Sequence, residues 1–384
     1  MAWKNKGKQK TTHVTVNGVV DVERTIYWNK DRGSVVPVDH WLGITQSRYS
    51  PGLREMACRA CIRDAFVPAS ESLSRMAQVT VSSSAMQELV ERQGRQAYEA
   101  IAQGQYGPDW TVENCKDHTL VSGADGVMVP LVTEEQKKKR RVTEAKKRQK
   151  KGRSSAAKVG RPRRGSDGPY GEFKLVSFYD NDKEHSYAVG TSGDCDALGR
   201  LMRREACKLE FDKAQHLYAV TDGAEWIARQ YAKQLPLELH VLDYYHLRNH
   251  VIAAAQALYG EGTKQSVEWR EDMMGYVWNQ GSLVMLDHLG HYIQRHRSGP
   301  KHDALLSLRE YVAKRVNMTD YPSYRQIGYD TGSGPTESFC GTLTARLKGR
   351  GMHWDKDNAQ AIMALGSLYY SNLWNHYWQK QRAA

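Results

Sequence analysis

The chain has 384 residues, 26% of them Asp, Glu, Lys or Arg, with a formal net charge of +12 and six scattered cysteines. That length allows two or three domains around a sizeable core, and neither a 15-residue apolar leader nor an 18-residue apolar run is present. Export, membrane spanning and a disulfide framework are therefore not expected, and a cytoplasmic protein is.

Residues 1–12, "MAWKNKGKQKTT", are basic and polar and predict an unstructured tail. Over 13–37, apolar and polar residues alternate on both sides of Asn17-Gly18, the pattern of a β-hairpin. Residues 38–112 read as helical, one helix opening at Ser50-Pro51. Cys58 and Cys61 form a CxxC inside that helix with no second pair to complete a zinc site, which predicts buried thiols rather than ligands. A short helix at about 70–77, a turn over 78–81 and a longer helix capped by Ser82 or Ser83 follow. Two readings stand: an ordinary helix pair, or a helix-turn-helix offering Gln87, Glu91, Arg92 and Arg95 to a DNA groove.

From 113 to 257 the pattern becomes three strands and then helix, strand, helix, strand, helix, a mixed α/β layer architecture matching the element order of the ribonuclease H-like fold. Residues 137–164 interrupt it with fifteen Lys and Arg against one acid, Glu144, and without them the chain carries −2. Such composition predicts a disordered loop over 133–171. Its role is either a solvated segment or contact with a phosphate backbone through Lys137, Lys138, Lys139, Arg140, Arg141, Arg161, Arg163 and Arg164. Residues 258–330 carry only helical periodicity, an all-helical insertion, and 331–384 return to a helix bearing Glu337 and to further C-terminal helices.

Three carboxylates define the candidate site. Asp125 ends an apolar strand at a glycine turn, Asp222 ends "LYAVTD" before Gly223 and a helix, and Glu337 follows "GSGPT". Acids at strand ends project into a shared crevice in α/β sheets, although each alone is a common turn or cap residue. With Gly334 as cap and Pro335 as first helical residue, Glu337 taken on this stretch alone reads as a capping glutamate, and only the other carboxylates argue for more. Three clustered carboxylates repel unless a cation neutralises them, and hard oxygen donors favour Mg²⁺ or Mn²⁺, two ions serving phosphoryl displacement. Asp243 ends the next strand, and His246 and His250, four apart, share a helix face. Zinc is disfavoured there because HExxH and a third ligand are absent, and a hydrogen-bonding role beside a phosphate suits Asp243 and His246 better. Arg346, Lys348 and Arg350 follow Glu337 and either hold phosphate or form a solvated face.

The motifs "SGADGVMV", "YAVTDGAEWI", "VLDYYHLRNH" and "GSGPTESFCGTLTARLKGRGMHW", in that order, together with "YSPGLREMACRACIRDAFVPASESL", resemble bacterial insertion-sequence transposases of the ISKra type, related to the Mutator-like Asp-Asp-Glu (DDE) enzymes. The resemblance spans most of residues 13–375. It implies a ribonuclease H-like catalytic core with a helical insertion, preceded by a β-hairpin and a helical DNA-binding region. Asp125, Asp222 and Glu337 match the family's catalytic metal ligands, and Asp243 and His246 match its (Cys/Asp)xxH feature. Expected partners are the element's terminal inverted repeats, target DNA and a second copy of the chain, in a nucleoid-associated bacterial protein. The alternatives are a nuclease that cuts without joining and a DNA-binding derivative without chemistry.

Overall fold

The computed structural model describes residues 2–42, 44, 47–152 and 164–383. In chain order these form β1 (Lys4–Thr15), β2 (Gly18–Asn29), β3 (Gly33–Val35), α1 (Pro37–Trp41), α2 (Pro51–Cys61), α3 (Phe66–Met76), α4 (Ser83–Ala102), β4 (Thr119–Pro130), α5 (Glu134–Lys150), β5 (Tyr170–Tyr179), β6 (Ser186–Thr191) and α6 (Cys195–Lys208). They continue with β7 (His216–Thr221), α7 (Glu225–Gln234), β8 (Leu239–Leu242), α8 (Tyr244–Tyr259), α9 (Lys264–Gln280), α10 (Ser282–Arg295), α11 (Pro300–Ala313), α12 (Tyr321–Gln326), α13 (Gly334–Ala345), α14 (Lys356–Tyr370) and α15 (Trp374–Ala383). Internal contacts divide the chain into one unit of residues 1–107, 127–173 and 341–384, and another of 108–126 and 174–340.

In the first unit, Gly18 takes φ +107° at the hairpin turn, and β1 and β2 pair antiparallel from Thr15↔Gly18 out to Lys4↔Trp28. The expected tail is therefore strand from Lys4 onward, and the hairpin is longer than 13–37. Acids opposite the lysines explain it: Lys8 meets Glu23 at 3.0 Å and Lys10 meets Asp21 at 2.8 Å, cross-strand pairs invisible when the basic stretch is read alone. Behind the sheet sits a helical bundle. Ser82 caps α4 by accepting from the Ala85 N–H, and Gln78 takes φ +55° in the turn before it. α14, buried continuously over Ala359–Leu368, presses on α4 so closely that a Cβ at Gly94 would lie 2.6 Å from the Ala361 carbonyl oxygen. The longer helix of the pair thus buries one face in the core, and Arg95 donates to Asn358 at 2.8 Å. Cys58 and Cys61 are buried free thiols, Cys61 pushed up to about 12, chiefly by burial.

The basic segment also departs from expectation. α5 runs through Glu134–Lys150 where a disordered loop is predicted, and its start carries a capping box in which the Thr133 hydroxyl accepts from Gln136 N–H while the Gln136 side chain accepts from Thr133 N–H. Lys137 bridges to Asp355 at 2.7 Å, and Glu134 takes the Gly165 N–H at 2.6 Å and Arg141 at 3.1 Å. No residue of α5 is buried.

The second unit is a mixed α/β body. Its five-stranded sheet has the order β6-β5-β4-β7-β8, with β5/β6 antiparallel and β4/β7 and β7/β8 parallel. Parallel neighbours require crossovers, supplied here by α6 and α7. α8 to α12 pack their apolar faces on Tyr218, Val220 and Val241 of the sheet through Leu247, Val251, Trp269, Met273 and Leu305. Among the described residues no helix is long and apolar enough to cross a membrane.

Candidate functional site

Three separate stretches of the second unit bring acids to the same end of its sheet. β4 does not end at a turn over Asp125-Gly126 as expected but continues to Pro130; it runs parallel to β7 with Ser122 opposite Ala219, so Asp125, midway along β4, falls level with Asp222 just past the end of β7. The third acid arrives on α13, whose approach depends on Gly123. A Cβ there would stand 1.8 Å from Thr336 Oγ1, and Thr336 is also tied at 2.8 Å to Ser177 on β5. The glycine two residues before Asp125 therefore lets the helix lie directly on the sheet, which delivers Glu337, the next residue along.

Electrostatics report the resulting proximity. Asp125 is half-buried, and its carboxyl is held above the ordinary carboxylate range first by burial; the Gly126 N–H and the Cys340 thiol offset part of this, and the charges of Asp222 and Glu337 add to it. Asp125 thus stands in the field of both other acids. Cys340 lies one turn beyond Glu337 on α13, so that helix contributes a donor as well as an acid.

The capping reading of Glu337 does not hold. α13 begins at Gly334, the Glu337 N–H bonds to the Ser333 carbonyl at 2.9 Å, and the Ser333 N–H goes to Asp243 Oδ2 at 2.5 Å. Glu337, exposed in the first turn, instead accepts from Ser333 Oγ at 3.3 Å.

Asp243 is 1% exposed and fully engaged: Oδ1 caps α8 through the His246 N–H at 2.6 Å, and Oδ2 takes both the N–H and the hydroxyl of Ser333. That spends its acceptors on protein donors, so Asp243 orients the Glu337 approach rather than facing a phosphate as expected. His246 and His250 stand 5.4 Å apart, ring centre to ring centre, and His250 stacks on Tyr311 at 3.7 Å. Its imidazole is pushed below the usual histidine range by burial, then by His246 and Arg315.

Among the described residues no group of three or more His, Cys, Asp or Glu is disposed to hold a metal ion. The donor chemistry of Asp125, Asp222 and Glu337 nonetheless fits a hard divalent cation: all are carboxylate oxygens, and the charge repulsion felt at Asp125 is what a cation removes.

The basic candidates sort by burial. Arg346 is 4% exposed, sandwiched 4.9 Å from the Phe66 ring and 4.8 Å from the Trp354 ring, with Nη1 on Met352 Sδ; it is a packed cation–π residue, not a phosphate contact. Lys348 and Arg350 are exposed. Arg92 is half-buried and lines a 390 Å³ cleft with Arg48, Tyr49 and Glu88. Arg164 pairs with Asp167 at 2.7 Å, and Arg161 and Arg163 lie outside the described residues. On α5, Lys137 and Arg141 are drawn inward to Asp355 and Glu134, and Lys138 is exposed. At 100° per residue, Lys139, Arg140, Lys146, Lys147 and Lys150, all exposed, fall within about 120° of one another, turned away from that anchor.

Residues 1–161 match the model of UPF0236, an uncharacterised protein family. No curated protein matches. Among solved structures, the Drosophila P element transposase strand transfer complex is similar at 12% identity over 86% of this chain and 94% of that one, with a TM-score of 0.34. So slight a likeness carries no functional weight, and the reading below stands on the residues.

Proposed function

We propose that the chain is a DNA transposase of the DDE kind, with a ribonuclease H-like core in its second unit. The observation that carries this reading is the geometry that gathers the three acids: parallel β4 and β7 set Asp125 level with Asp222, and α13 lies on β4 at Gly123 through Thr336, the residue before Glu337. The sheet order and its antiparallel-then-parallel pairing support the same fold. Asp125, Asp222 and Glu337 are the residues that would hold Mg²⁺ or Mn²⁺. Bound there, the ions would ease attack by water or a 3′-hydroxyl and neutralise charge on the phosphate.

The chain's own residues set the geometry. Ser333 orients Glu337, Asp243 fixes Ser333, and the Gly126 N–H and Cys340 hold Asp125. In the first step a water oxygen bonds to phosphorus at an element end and the P–O3′ bond breaks, freeing a 3′-hydroxyl. That hydroxyl then bonds to a target phosphorus while the target's own P–O3′ bond breaks and its 3′-oxygen takes up a proton. The exposed stripe of α5, with Lys348 and Arg350, supplies phosphate contacts, and two copies act together because two ends must be joined.

The test is to incubate the purified chain with Mg²⁺, a labelled duplex carrying one element end and a target plasmid. Nicking at the end and a joined product are expected. Nicking without joining would replace the reading with a nuclease, and neither product with intact DNA binding would leave a silent binding protein.

A further inference from the structure

The inserted helices reach back to Asp222. The Tyr311 hydroxyl, on α11, donates to the Asp222 carbonyl at 3.2 Å. Arg315, just past the end of α11, donates to the Gly223 carbonyl from Nε at 3.0 Å and from Nη2 at 2.8 Å. The two are themselves locked: Arg315 Nη1 bonds the Tyr311 carbonyl at 3.0 Å, and the guanidinium lies 3.9 Å over the Tyr311 ring.

Gly223 takes φ +73°, and a Cβ there would stand 2.7 Å from both Arg315 Nε and Leu242 Cδ1. A glycine immediately after an acid leaves that acid's backbone loosely determined unless something else fixes it. The Asp222 side chain itself has one local bond, Oδ1 to the Ala224 N–H at 2.8 Å. Capturing two successive carbonyls fixes the peptide planes on either side of Gly223 and hence the origin and direction of the Asp222 side chain.

We infer that Tyr311 and Arg315 are positioning residues for Asp222, which makes the helical insertion a working part of the site and not an appendage. The inference rests on the reading of Asp222 as a catalytic acid. An arginine capping a loop carbonyl is a common structural device; here both carbonyls flanking the glycine are held by one segment about ninety residues downstream, and that segment is braced by its own cation–π contact.

Two measurements on the full chain test it: amide hydrogen exchange over 221–226, and Mg²⁺-dependent nicking of end-bearing DNA, each for Y311F, R315A and R315K. R315A is expected to lower kcat about 10–100-fold with KM for DNA within about twofold, as sub-ångström misplacement of a catalytic group does. Added guanidinium should restore part of the loss, and R315K should fall between. Y311F, which deletes one hydroxyl, is expected to lose about 2–10-fold. In R315A the Gly223 and Ala224 amides should exchange faster while β7 stays protected. Parental kcat and unchanged exchange in both R315A and Y311F would overturn the inference. Should R315A fail to fold, Y311F alone decides. If the parent does not nick DNA at all, the proposed function fails, while faster exchange in R315A still upholds the clamp and unchanged exchange removes it.

Discussion

The acid-bearing end of the sheet and the basic helix α5 are built on opposite principles. Around Asp125, Asp222 and Glu337 nearly every neighbouring polar group is assigned: Asp243 spends both oxygens on backbone and Ser333, and Gly123 is shaved to admit Thr336. On α5 no residue is buried, and the outward cations meet little beyond an exposed, solvent-screened Lys139–Glu135 pair. Chemistry requires side chains held to a fraction of an ångström, whereas phosphate binding requires only charge on a rod of suitable pitch. Substitutions in the first region should change rate and in the second affinity.

The sharpest break of that contrast is Glu337→Gln. It keeps the Ser333 hydrogen bond and the shape of α13 but removes one negative charge, so nicking should fall by about 10³-fold or more with DNA affinity unchanged or slightly raised. A single-turnover assay beside a binding titration checks it. A parallel loss of binding would erase the division between the two regions.

Neutralising Lys139, Arg140, Lys146, Lys147 and Lys150 to Gln should act in the opposite way. The slope of log affinity against log salt should flatten by about 4–5, close to 0.9 for each phosphate no longer neutralised, with the nicking rate at saturating DNA preserved. Arg346→Met is the control, because its buried guanidinium should leave the slope untouched.

The same contrast governs what the sequence discloses. Asp222 at the end of its strand and the Asn17-Gly18 turn are legible because they depend on neighbours two or three residues away, whereas the glycine after Asp125 suggests a turn that β4 runs straight through. The helix at 134–150 escapes a reading by composition because bulk charge outweighs a local signal that is present, the Thr133–Gln136 capping box. Arg346 reads as one of three surface cations until Phe66, 280 residues earlier, closes over it. Ser333, Tyr311 and Arg315 act through partners far along the chain, and no periodicity announces such bonds. The Arg95 bond is hidden for the same reason, since its partner Asn358 belongs to a helix that only the fold sets beside α4.

Gly123→Ala probes the packing beneath the acids. The added methyl meets Thr336 Oγ1 at a distance no pair of atoms adopts, so α13 must shift, at a cost of about 1–3 kcal/mol in stability. Thermal unfolding should register a drop of a few degrees, on the order of the 2–4 °C per kcal/mol expected of larger domains. Nicking should fall further than stability does, because Glu337 moves with the helix. Gly123→Ala with Thr336→Ser leaves the offending oxygen in place and should rescue neither, whereas pairing it with Thr336→Ala should recover stability first.

The smallest effect is a pH dependence at Asp125. Its carboxyl is raised in the folded chain, so between the ordinary aspartate value and the folded one the native state binds more protons than the unfolded state, and stability falls as pH rises through that window. Above the window the penalty is constant; below the ordinary value both states are protonated and it vanishes. Asp125→Asn removes the group, so without divalent cation the variant should melt above the parent at neutral pH and converge with it under acid. Mg²⁺ should raise the parent's midpoint more than the variant's, since the charge that Asp125 adds to the site is gone. Melting curves that stay parallel from acid to neutral pH would mean that neither burial nor the charges of Asp222 and Glu337 raise the Asp125 carboxyl, and the acid-bearing end of the sheet would then have no electrostatic reason for its order.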